Sequence, residues 1–366
     1  MNHDHAKARH RFGRLLSLTL VALLFGGLFD ARRAAAVGLW VPNEDSSTIS
    51  EFQGTLTTRP HRVIRSADLS GCSTVAFDAS GNLWESNFSS NSIVEFTRAQ
   101  IRTLARNSAP AATVIISADG GGLLNGPEGL AFDSAGNLWV GSENGHRVLQ
   151  YSAAQLAASG NPTPNIILNG STFSFSSPSN PVFDGAGNLW VVDEHITNGQ
   201  GGTGKIFEYT SAQVTALTAG TNTVDPVVGI ASADFQHLEG LAFDGSGNLW
   251  VADENAGTVD QIQASQIAGA GLSQNITPAV ILTAATLNGA CTQSLDAPYG
   301  VAIDARGNLL VGNKGTTSQC LGSVAKFPAG RITSSGSPRP SVLLRANANG
   351  TNLNAPNNLT IGPAVP

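Results

Sequence analysis

The amino-acid sequence predicts an all-β fold, a six-bladed β-propeller with four antiparallel strands in each blade. Three observations lead to this prediction. A turn motif recurs along the chain at intervals of 51 to 60 residues, strand-like segments surround each copy, and the two chain ends look like complementary parts of one blade. Repeats of this length are typical of propellers and solenoids.

The turn motif is seen in FDGSGNLWVADEN, which starts at Phe243, and similar segments start at Phe77, Phe132, Phe183 and Ile303. In the sequence Asp-x-x-Gly-Asn, the carboxylate can accept backbone N–H groups and the glycine can take a positive φ. We therefore interpret the repeated aspartates as structural parts of a hairpin turn. They are Asp78, Asp133, Asp184, Asp244 and Asp304.

Strand-like segments flank every turn. Around Phe243, the segments LAF and LWVA predict two strands, and TVDQIQ from Thr258 predicts a third, which has counterparts starting at Ser47, Ser92, Arg147, Lys205 and Ser323. A short helical turn follows most of them, and then a proline precedes a fourth apolar segment such as TPAVILT. Proline suits the outer edge of a sheet, because its missing N–H is not needed there for pairing. Six units of four strands result.

The chain ends favour a closed ring over a solenoid. The first unit starts at Gly38 with GLWVPN and has no strand before it, whereas the chain finishes with NNLTIGP, a first strand with nothing after it. The C-terminal segment would thus supply the inner strand of blade 1. This closure removes the open ends that a solenoid has to cap.

The first 36 residues have the pattern of a signal peptide. Basic residues precede an apolar run from Leu15 to Phe29, and the small residues Ala34, Ala35 and Ala36 follow it. The run of 15 residues is shorter than the roughly 20 that span a bilayer. We expect an exported protein, secreted or periplasmic, in which residues 37–366 form the propeller and no segment spans the membrane.

The charge pattern limits the classes of partner. Charged residues make up 13% of the chain, against about 25% in typical domains, and the net charge is −6 without a basic cluster. Nucleic acid and anionic membrane surfaces require clustered Lys and Arg. We therefore expect a small molecule or a protein as the partner, bound by a monomer.

The pattern GLAFD-x-x-GNLWVAD-x-x-N-x-x-V resembles the NHL repeat. It is also similar to the gluconolactonase and senescence-marker-protein family, which has the six-bladed form. The resemblance covers about 330 residues and specifies architecture better than chemistry, because this fold carries lactonases, lyases and binding proteins.

In the lactonases, acidic and Asn side chains at the start of the inner strands hold a catalytic metal in the central funnel. Here that position lies five residues before each turn aspartate. It is occupied by Ser73, Glu128, Ser179, Glu239 and Tyr299, and Asn357 takes it in the closing strand. The resemblance implies Glu128, Glu239 and the neighbouring Asn180 as metal ligands. The family's set of two acids and one asparagine is incomplete here unless Asn357 or Asn180 reaches inward, and this departure puts lactonase activity in doubt.

A second ring of polar residues lies at the ends of the second strands: Asn43, Asn87, Ser142, Asp193, Asp253 and Asn313. Glu44, Glu143, Glu194 and Glu254 follow four of them. Oxygen ligands from several blades could hold Ca²⁺. Alternatively, the residues of this second ring cap the following loops and the glutamates point into solvent.

Histidines add a further possibility in blades 4 and 5. His195 lies beside Asp193 in an elongated loop, and His237 precedes Glu239. A general acid/base site or a Zn²⁺ site is conceivable. Neither histidine belongs to an HxH or HExxH motif, so loop histidines without a role remain the alternative.

Cysteine spacing suggests one disulfide. Cys291 and Cys320 lie in loops that open on one face of blade 6, and Cys72 is left unpaired. The alternative is three free thiols.

Two functions follow as hypotheses. The first is a non-catalytic binding module that uses the acidic loop face and the funnel, with Glu194, His237, Glu254, Tyr299 and Asn357 as ligand-binding residues. The second is a metal-dependent lactonase or hydrolase, in which one Ca²⁺ or Zn²⁺ is bound by the funnel ligands. Asp193, His195 and Asp253 would then be the catalytic residues that transfer protons.

Overall fold

The computed structural model describes residues 37–363, except 55, 57–58, 171–173, 195–203, 273, 288–292, 317–320 and 347–352. Its strands in the first half are β1 (Val37–Asn43), β2 (Thr48–Gln53), β3 (Arg62–Ile64), β4 (Cys72–Phe77), β5 (Leu83–Asn87), β6 (Ser92–Phe96), β7 (Asn107–Ser108), β8 (Val114–Ser117), β9 (Pro127–Phe132), β10 (Leu138–Ser142), β11 (Arg147–Tyr151), β12 (Ile166–Asn169), β13 (Pro178–Phe183) and β14 (Leu189–Asp193).

The second half continues with β15 (Lys205–Tyr209), β16 (Gly220–Thr223), β17 (Val228–Ala231), β18 (Leu238–Phe243), β19 (Leu249–Asp253), β20 (Thr258–Ile262), β21 (Gln274–Asn275), β22 (Val280–Leu282), β23 (Pro298–Ile303), β24 (Leu309–Asn313), β25 (Ser323–Phe327), β26 (Val342–Arg345) and β27 (Thr360–Pro363). The helices are α1 (Arg98–Thr103), α2 (Ser211–Ala216) and α3 (Ala264–Ala268), and 3-10 turns occupy Gln155–Ala157 and Ala329–Arg331.

These strands form six sheets, which confirms the six-bladed propeller. From the axis outward, the blades are β27-β1-β2-β3-β7, β4-β5-β6-β8, β9-β10-β11-β12-β16, β13-β14-β15-β17-β21, β18-β19-β20-β22 and β23-β24-β25-β26. Blade 1 is closed as predicted. β27 pairs antiparallel with β1, with Val37 opposite Pro363 and Trp40 opposite Thr360.

The expectation of four strands in every blade needs one correction, because blades 1, 3 and 4 carry a fifth. In each case the segment that follows a helix of the next blade runs parallel to the outer strand, as β16 does beside β12. The added strand satisfies backbone groups that an exposed edge would leave unpaired. Sequence patterning does not reveal these strands because they are short and largely exposed.

The repeated aspartates are structural, as predicted. Asp244 Oδ1 accepts the N–H groups of Ser246 (2.8 Å) and Asn248 (3.0 Å), while its Oδ2 accepts Asn248 Nδ2 (2.9 Å) and Trp250 Nε1 (3.1 Å). Gly247 has φ +79°, as the turn requires. The aspartate therefore ties the turn to the tryptophan of the second strand.

Blade 6 keeps the turn without the tryptophan. Leu310 stands at that position, and Lys326 on the paired strand donates to Asp304 Oδ2 at 2.8 Å instead. Burial alone would raise the pKa of Asp304, but hydrogen bonds from Asn308 and Lys326 lower it to about 2.

Aromatic contacts join consecutive blades. The tryptophan of one blade packs edge-on against the phenylalanine that precedes the turn of the next, as Trp190 does with Phe243 at a centroid distance of 5.4 Å. Trp40–Phe77, Trp84–Phe132 and Trp139–Phe183 repeat this contact. The apolar core therefore lies between the blades, which keeps the axis available for polar side chains.

Among the described residues, none of the helices has the length and apolar character of a membrane span.

Glu85 breaks the apolar pattern of the second strands. The residue after the tryptophan position is valine in the other five blades and Glu85 in blade 2. Glu85 is fully buried, accepts the Ser73 N–H at 3.1 Å and forms a hydrogen bond with the thiol of Cys72. Burial raises the pKa of Glu85 well above its usual range. Cys72 is a buried free thiol, as predicted, whereas Cys291 and Cys320 lie outside the described residues.

The raised pKa of Glu85 makes stability depend on pH. The folded state keeps a proton that the unfolded chain releases above about pH 4.3, so the free energy of unfolding falls as pH rises from there toward the folded pKa. We expect Glu85→Gln, which cannot ionise, to match the wild type near pH 4. Above that pH it should gain relative stability, by up to about 1.4 kcal/mol per pH unit. Urea unfolding of both proteins at pH 4, 6 and 8 tests this, and a difference independent of pH would contradict it.

Candidate functional site

A cavity of about 160 Å³ opens at the axis on the loop face of the propeller. Two rings of side chains and His237 line it. The inner ring comes from the first strands of blades 2, 3, 5 and 6 and from the segment before β27, and it contributes Ser73, Glu128, Glu239, Tyr299 and Asn357. The outer ring is the residue directly after the second strand of each blade, and it comprises Glu44, Phe88, Glu143, Glu194, Glu254 and Lys314.

The inner ring follows the sequence prediction for position. Glu128 and Glu239 are each 1% exposed and line the cavity with Tyr299 and Asn357, while Ser179 is fully buried and lies outside the lining. Asn180, the third predicted metal ligand, does not line the cavity. Its Oδ1 accepts Asn358 Nδ2 at 2.9 Å.

The Asn180–Asn358 pair belongs to the layer below the cavity. Glycines occupy the same strand position in blades 3, 5 and 6, and they leave no room for a side chain. A Cβ at Gly129 would lie 2.6 Å from the Asn180 Cα, and one at Gly300 would lie 2.6 Å from the Asn358 Cα. The two amides and the close backbones thus form a floor under the cavity.

The predicted second ring has a capping role. Asp253 accepts the N–H groups of Gln236 (2.7 Å), His237 (3.0 Å) and Ala256 (3.0 Å), and it is fully buried. Asp193 accepts the N–H groups of Ser176 and Ser177, and Asn87 likewise accepts that of Ser70. The loop that is capped mainly enters the first strand of the same blade, rather than following the second strand. Neither aspartate lines the cavity, so we assign no proton transfer to them.

The glutamates after the second strands do not simply point into solvent. They turn toward the axis, and Glu194 is only 3% exposed. The sequence interpretation missed Phe88 and Lys314 as members of this ring. Their register, one residue past the strand end, was the signal that could have identified them.

His237 connects glutamates of two rings. Its Nε2 lies 3.2 Å from Glu194 Oε2 and 3.3 Å from Glu239 Oε1, and its Nδ1 lies 3.7 Å from Glu254 Oε2. One donor atom each from Glu194, His237 and Glu239 lie within 4.8 Å of one another, as do atoms from Glu128, Glu143 and Glu194. His195 falls outside the described residues, together with most of the elongated loop of blade 4.

Burial and mutual repulsion make these carboxylates weak acids. Burial, followed by the charges of Glu128 and Glu239, raises the pKa of Glu194 well above its usual range. Burial and Glu128 likewise raise the pKa of Glu239. For Glu143, burial and Glu128 outweigh the opposing charge of Lys314 and raise the pKa to about 7. These raised pKa values disfavour full ionisation of the cavity lining.

One cation stands at the rim. Lys314 Nζ lies 3.0 Å from Glu44 Oε2 and 3.6 Å from the centroid of the Tyr299 ring, and the Tyr299 hydroxyl donates to Glu128 Oε1. Burial lowers the pKa of Lys314, but the carboxylates of Glu44, Glu239 and Glu128 raise it overall. Lys314 therefore carries a positive charge at neutral pH beside the acidic ring.

The donor set suits a divalent cation. Within the described residues, no hydrogen-bond donor reaches Glu128 Oε2, Glu194 Oε1 or Glu239 Oε2, although all three atoms are buried. Buried polar atoms normally have partners, and leaving a charged one unpaired is costly. Carboxylate oxygens together with one imidazole nitrogen are ligands for Zn²⁺ and Mn²⁺, and the oxygens alone suit Ca²⁺.

The sequence comparisons give a short match. A family model described as strictosidine synthase-like, N-terminal, matches residues 107–148, a segment that contains β7 to β10 and carries Glu128 and Glu143. No protein of curated function matches the sequence.

Solved structures show a wider likeness in fold. A chain of a nidogen/laminin complex matches with a TM-score of 0.56 and 15% identity, over 89% of this chain and 98% of that one. A protein of unknown function from Bacteroides caccae has a TM-score of 0.54 and 13% identity, over 90% and 100%. A gluconolactonase-like structure has a TM-score of 0.43 and 14% identity, over 70% and 85%. The six-bladed form implied by the resemblance is confirmed by the six sheets, and these likenesses concern the fold alone.

The capping role of Asp253 can be tested by comparing the stabilities of two substitutions. Asparagine serves at the equivalent position in three blades, so Asp253→Asn should keep the fold, with a loss of at most about 1 kcal/mol. Asp253→Ala removes the acceptor of three N–H groups and should cost about 2–4 kcal/mol, because buried donors lose their partner. Urea unfolding measures both variants. Equal stability of Asp253→Ala and wild type would contradict the capping role.

Proposed function

We propose that the protein is a binding propeller whose funnel holds a divalent cation and, through it, a small oxygen-bearing ligand. The single observation that carries this proposal is the set of three buried carboxylate oxygens on Glu128, Glu194 and Glu239 that lack any donor in the described structure. A cation would supply the missing partner and offset the repulsion among the glutamates.

The cavity also limits the ligand. A volume of about 160 Å³ is smaller than the roughly 300–1,000 Å³ of pockets for drug-sized molecules. It suits a cation, a few waters and one polar group of a ligand whose remainder lies on the acidic loop face. Lys314 would attract a carboxylate, phosphate or carbonyl oxygen on that group. Protein partners on the loop face remain compatible with this arrangement.

The proposal includes export, supported by the signal-peptide pattern of residues 1–36. We expect the exported protein to begin at Val37. N-terminal sequencing that finds Met1 retained would contradict this part.

Metal content tests the binding proposal. After dialysis against metal-free buffer and reloading with Mn²⁺, the purified protein should retain at least one ion per chain. Glu239→Gln should weaken binding by more than the roughly 10–100-fold that loss of an outer partner costs. Bound cation should also raise the thermal midpoint, because a ligand specific for the folded state stabilises it.

A matched control is Glu208→Gln, which removes a half-buried carboxylate on β15 outside the cavity lining. It should leave Mn²⁺ binding unchanged. Wild-type protein that binds no divalent ion would refute the proposal and leave the glutamates as protonated lining.

Hydrolysis of a small ester or lactone is the second candidate. The observation that favours it is the placement of Glu254 and Lys314 around the same cavity as the cation ligands. A bound cation supplies Lewis acidity toward a carbonyl oxygen and acidifies water. Glu254 would accept the proton of the attacking water as the new C–O bond forms. That proton would pass to the leaving oxygen when the ester C–O bond breaks, while Lys314 stabilises the negative charge that develops.

The base and the ligands can be distinguished kinetically. On a panel of small lactones, Glu254→Gln should keep the bound cation yet lower kcat by about 10²–10⁴-fold, the usual contribution of a general base. Chelation should abolish turnover, and Glu208→Gln should leave it unchanged. Cation-loaded protein with no turnover on the panel would restrict the function to binding.

A further inference from the structure

We propose that the funnel holds two divalent cations at once, bridged by the carboxylate of Glu194. This inference rests on the proposed cation site and extends it to a second, all-oxygen site. Glu194, His237 and Glu239 would bind one ion, called here the imidazole site. Glu128, Glu143 and Glu194 would bind the other, called the carboxylate site.

The geometry of Glu194 carries the argument. This residue alone belongs to both groups of converging donor atoms. Its Oε2 lies 3.2 Å from His237 Nε2, on the side of the imidazole site, whereas its Oε1 has no donor among the described residues. As the shared member of the two groups, with one oxygen near His237 and the other without a donor, Glu194 is placed to bridge two ions.

Glu128, like Glu194, has one carboxylate oxygen with a partner and one without. Tyr299 donates to its Oε1, which fixes the carboxylate, and the other oxygen, Oε2, is buried without a donor. Glu128 also contacts Glu194 at hydrogen-bonding range, although neither carboxylate has a proton to donate when both are ionised. A cation between the two carboxylates would relieve their repulsion.

Charge balance favours two ions over one. Glu128, Glu143, Glu194 and Glu239 carry four negative charges when ionised, and two divalent cations neutralise them completely. One cation would leave two uncompensated carboxylates in a largely buried cavity, where unpaired charge is costly. Lys314 already pairs with Glu44 at the rim.

Space permits both ions. Paired metal ions in proteins lie about 3.5–4 Å apart, and a water occupies about 30 Å³. The cavity volume of about 160 Å³ therefore accommodates two ions with a few waters. The ligands also differ: an imidazole suits transition metals such as Zn²⁺, whereas an all-carboxylate site suits Mn²⁺, Ca²⁺ or Mg²⁺.

A shared proton is the competing explanation. Two adjacent carboxylates can hold one proton between them, as in acid pairs whose pKa values separate. Glu194 and Glu128 would then form such a pair, and the funnel would bind a single ion at the imidazole site.

Stoichiometry separates these possibilities. We would titrate the metal-free protein with Mn²⁺, measure bound ions per chain, and record the electron paramagnetic resonance spectrum. Two ions per chain with an exchange-coupled spectrum are expected for the wild type. Glu143→Gln removes a half-buried ligand of the carboxylate site only, and should leave one ion with an uncoupled spectrum.

Two further variants complete the experiment. His237→Gln removes a ligand of the imidazole site and should likewise leave one uncoupled ion, so the result does not depend on a single variant folding. Glu208→Gln is the control, because Glu208 is a half-buried carboxylate on β15 that lies outside the cavity lining and belongs to neither group. It should keep two coupled ions.

The outcomes are distinct. One ion in the wild type, unchanged in Glu143→Gln, would overturn the two-ion proposal in favour of the shared proton while keeping the proposed cation site. No bound ion would overturn both. Two uncoupled ions would place the second ion away from Glu194 and refute the bridge.

Discussion

Pairing of the last strand with the first determines the geometry at the axis. Because β27 completes blade 1, the six first strands stand in a closed ring, and side chains at one strand position can converge. An open solenoid would spread the same side chains along a line. Asn357 reaches Glu44, 313 positions away in the chain, only through this closure, and their side chains lie 3.4 Å apart. The site is therefore a product of the whole ring.

Acidic residues of this protein occupy three environments with different energetic consequences. Burial raises the pKa of the turn aspartate Asp244, but side-chain and backbone donors lower it overall. The capping aspartate Asp253 is more deeply buried, and its carboxylate oxygens accept hydrogen bonds from backbone N–H groups. Glu239 is just as buried, yet one of its oxygens has no donor in the described structure, and burial and Glu128 raise its pKa. The fold requires the hydrogen bonds of Asp244 and Asp253. It does not explain the buried oxygen of Glu239, which supports the proposed cation site.

The sequence was sufficient for the features that repeat. Turn chemistry identified Asp244 and its equivalents, and register placed Glu128 and Glu239 on the axis, because strand position fixes direction once the blade is known. The sequence was insufficient to predict the side-chain direction of residues that follow a strand end. Glu143 and Lys314 follow a strand, where a side chain can turn toward the axis or toward solvent, and the choice depends on the neighbouring blade. The convergence of His237 on Glu194 likewise joins separate blades and has no local signal.

Differences among equivalent positions give this propeller its site. Five blades have the same turn with little variation. The outer ring, in contrast, combines four glutamates with Phe88 and Lys314, and the inner ring combines two glutamates with a serine, a tyrosine and an asparagine. Below them, glycines and the Asn180–Asn358 contact close the floor. A ligand must then approach from the loop face, past the pair formed by Lys314 and Glu44. Because the rim carries a lysine beside a glutamate and the interior gathers buried glutamates around His237, an anionic group is attracted at the entrance, whereas the deep carboxylates favour cations.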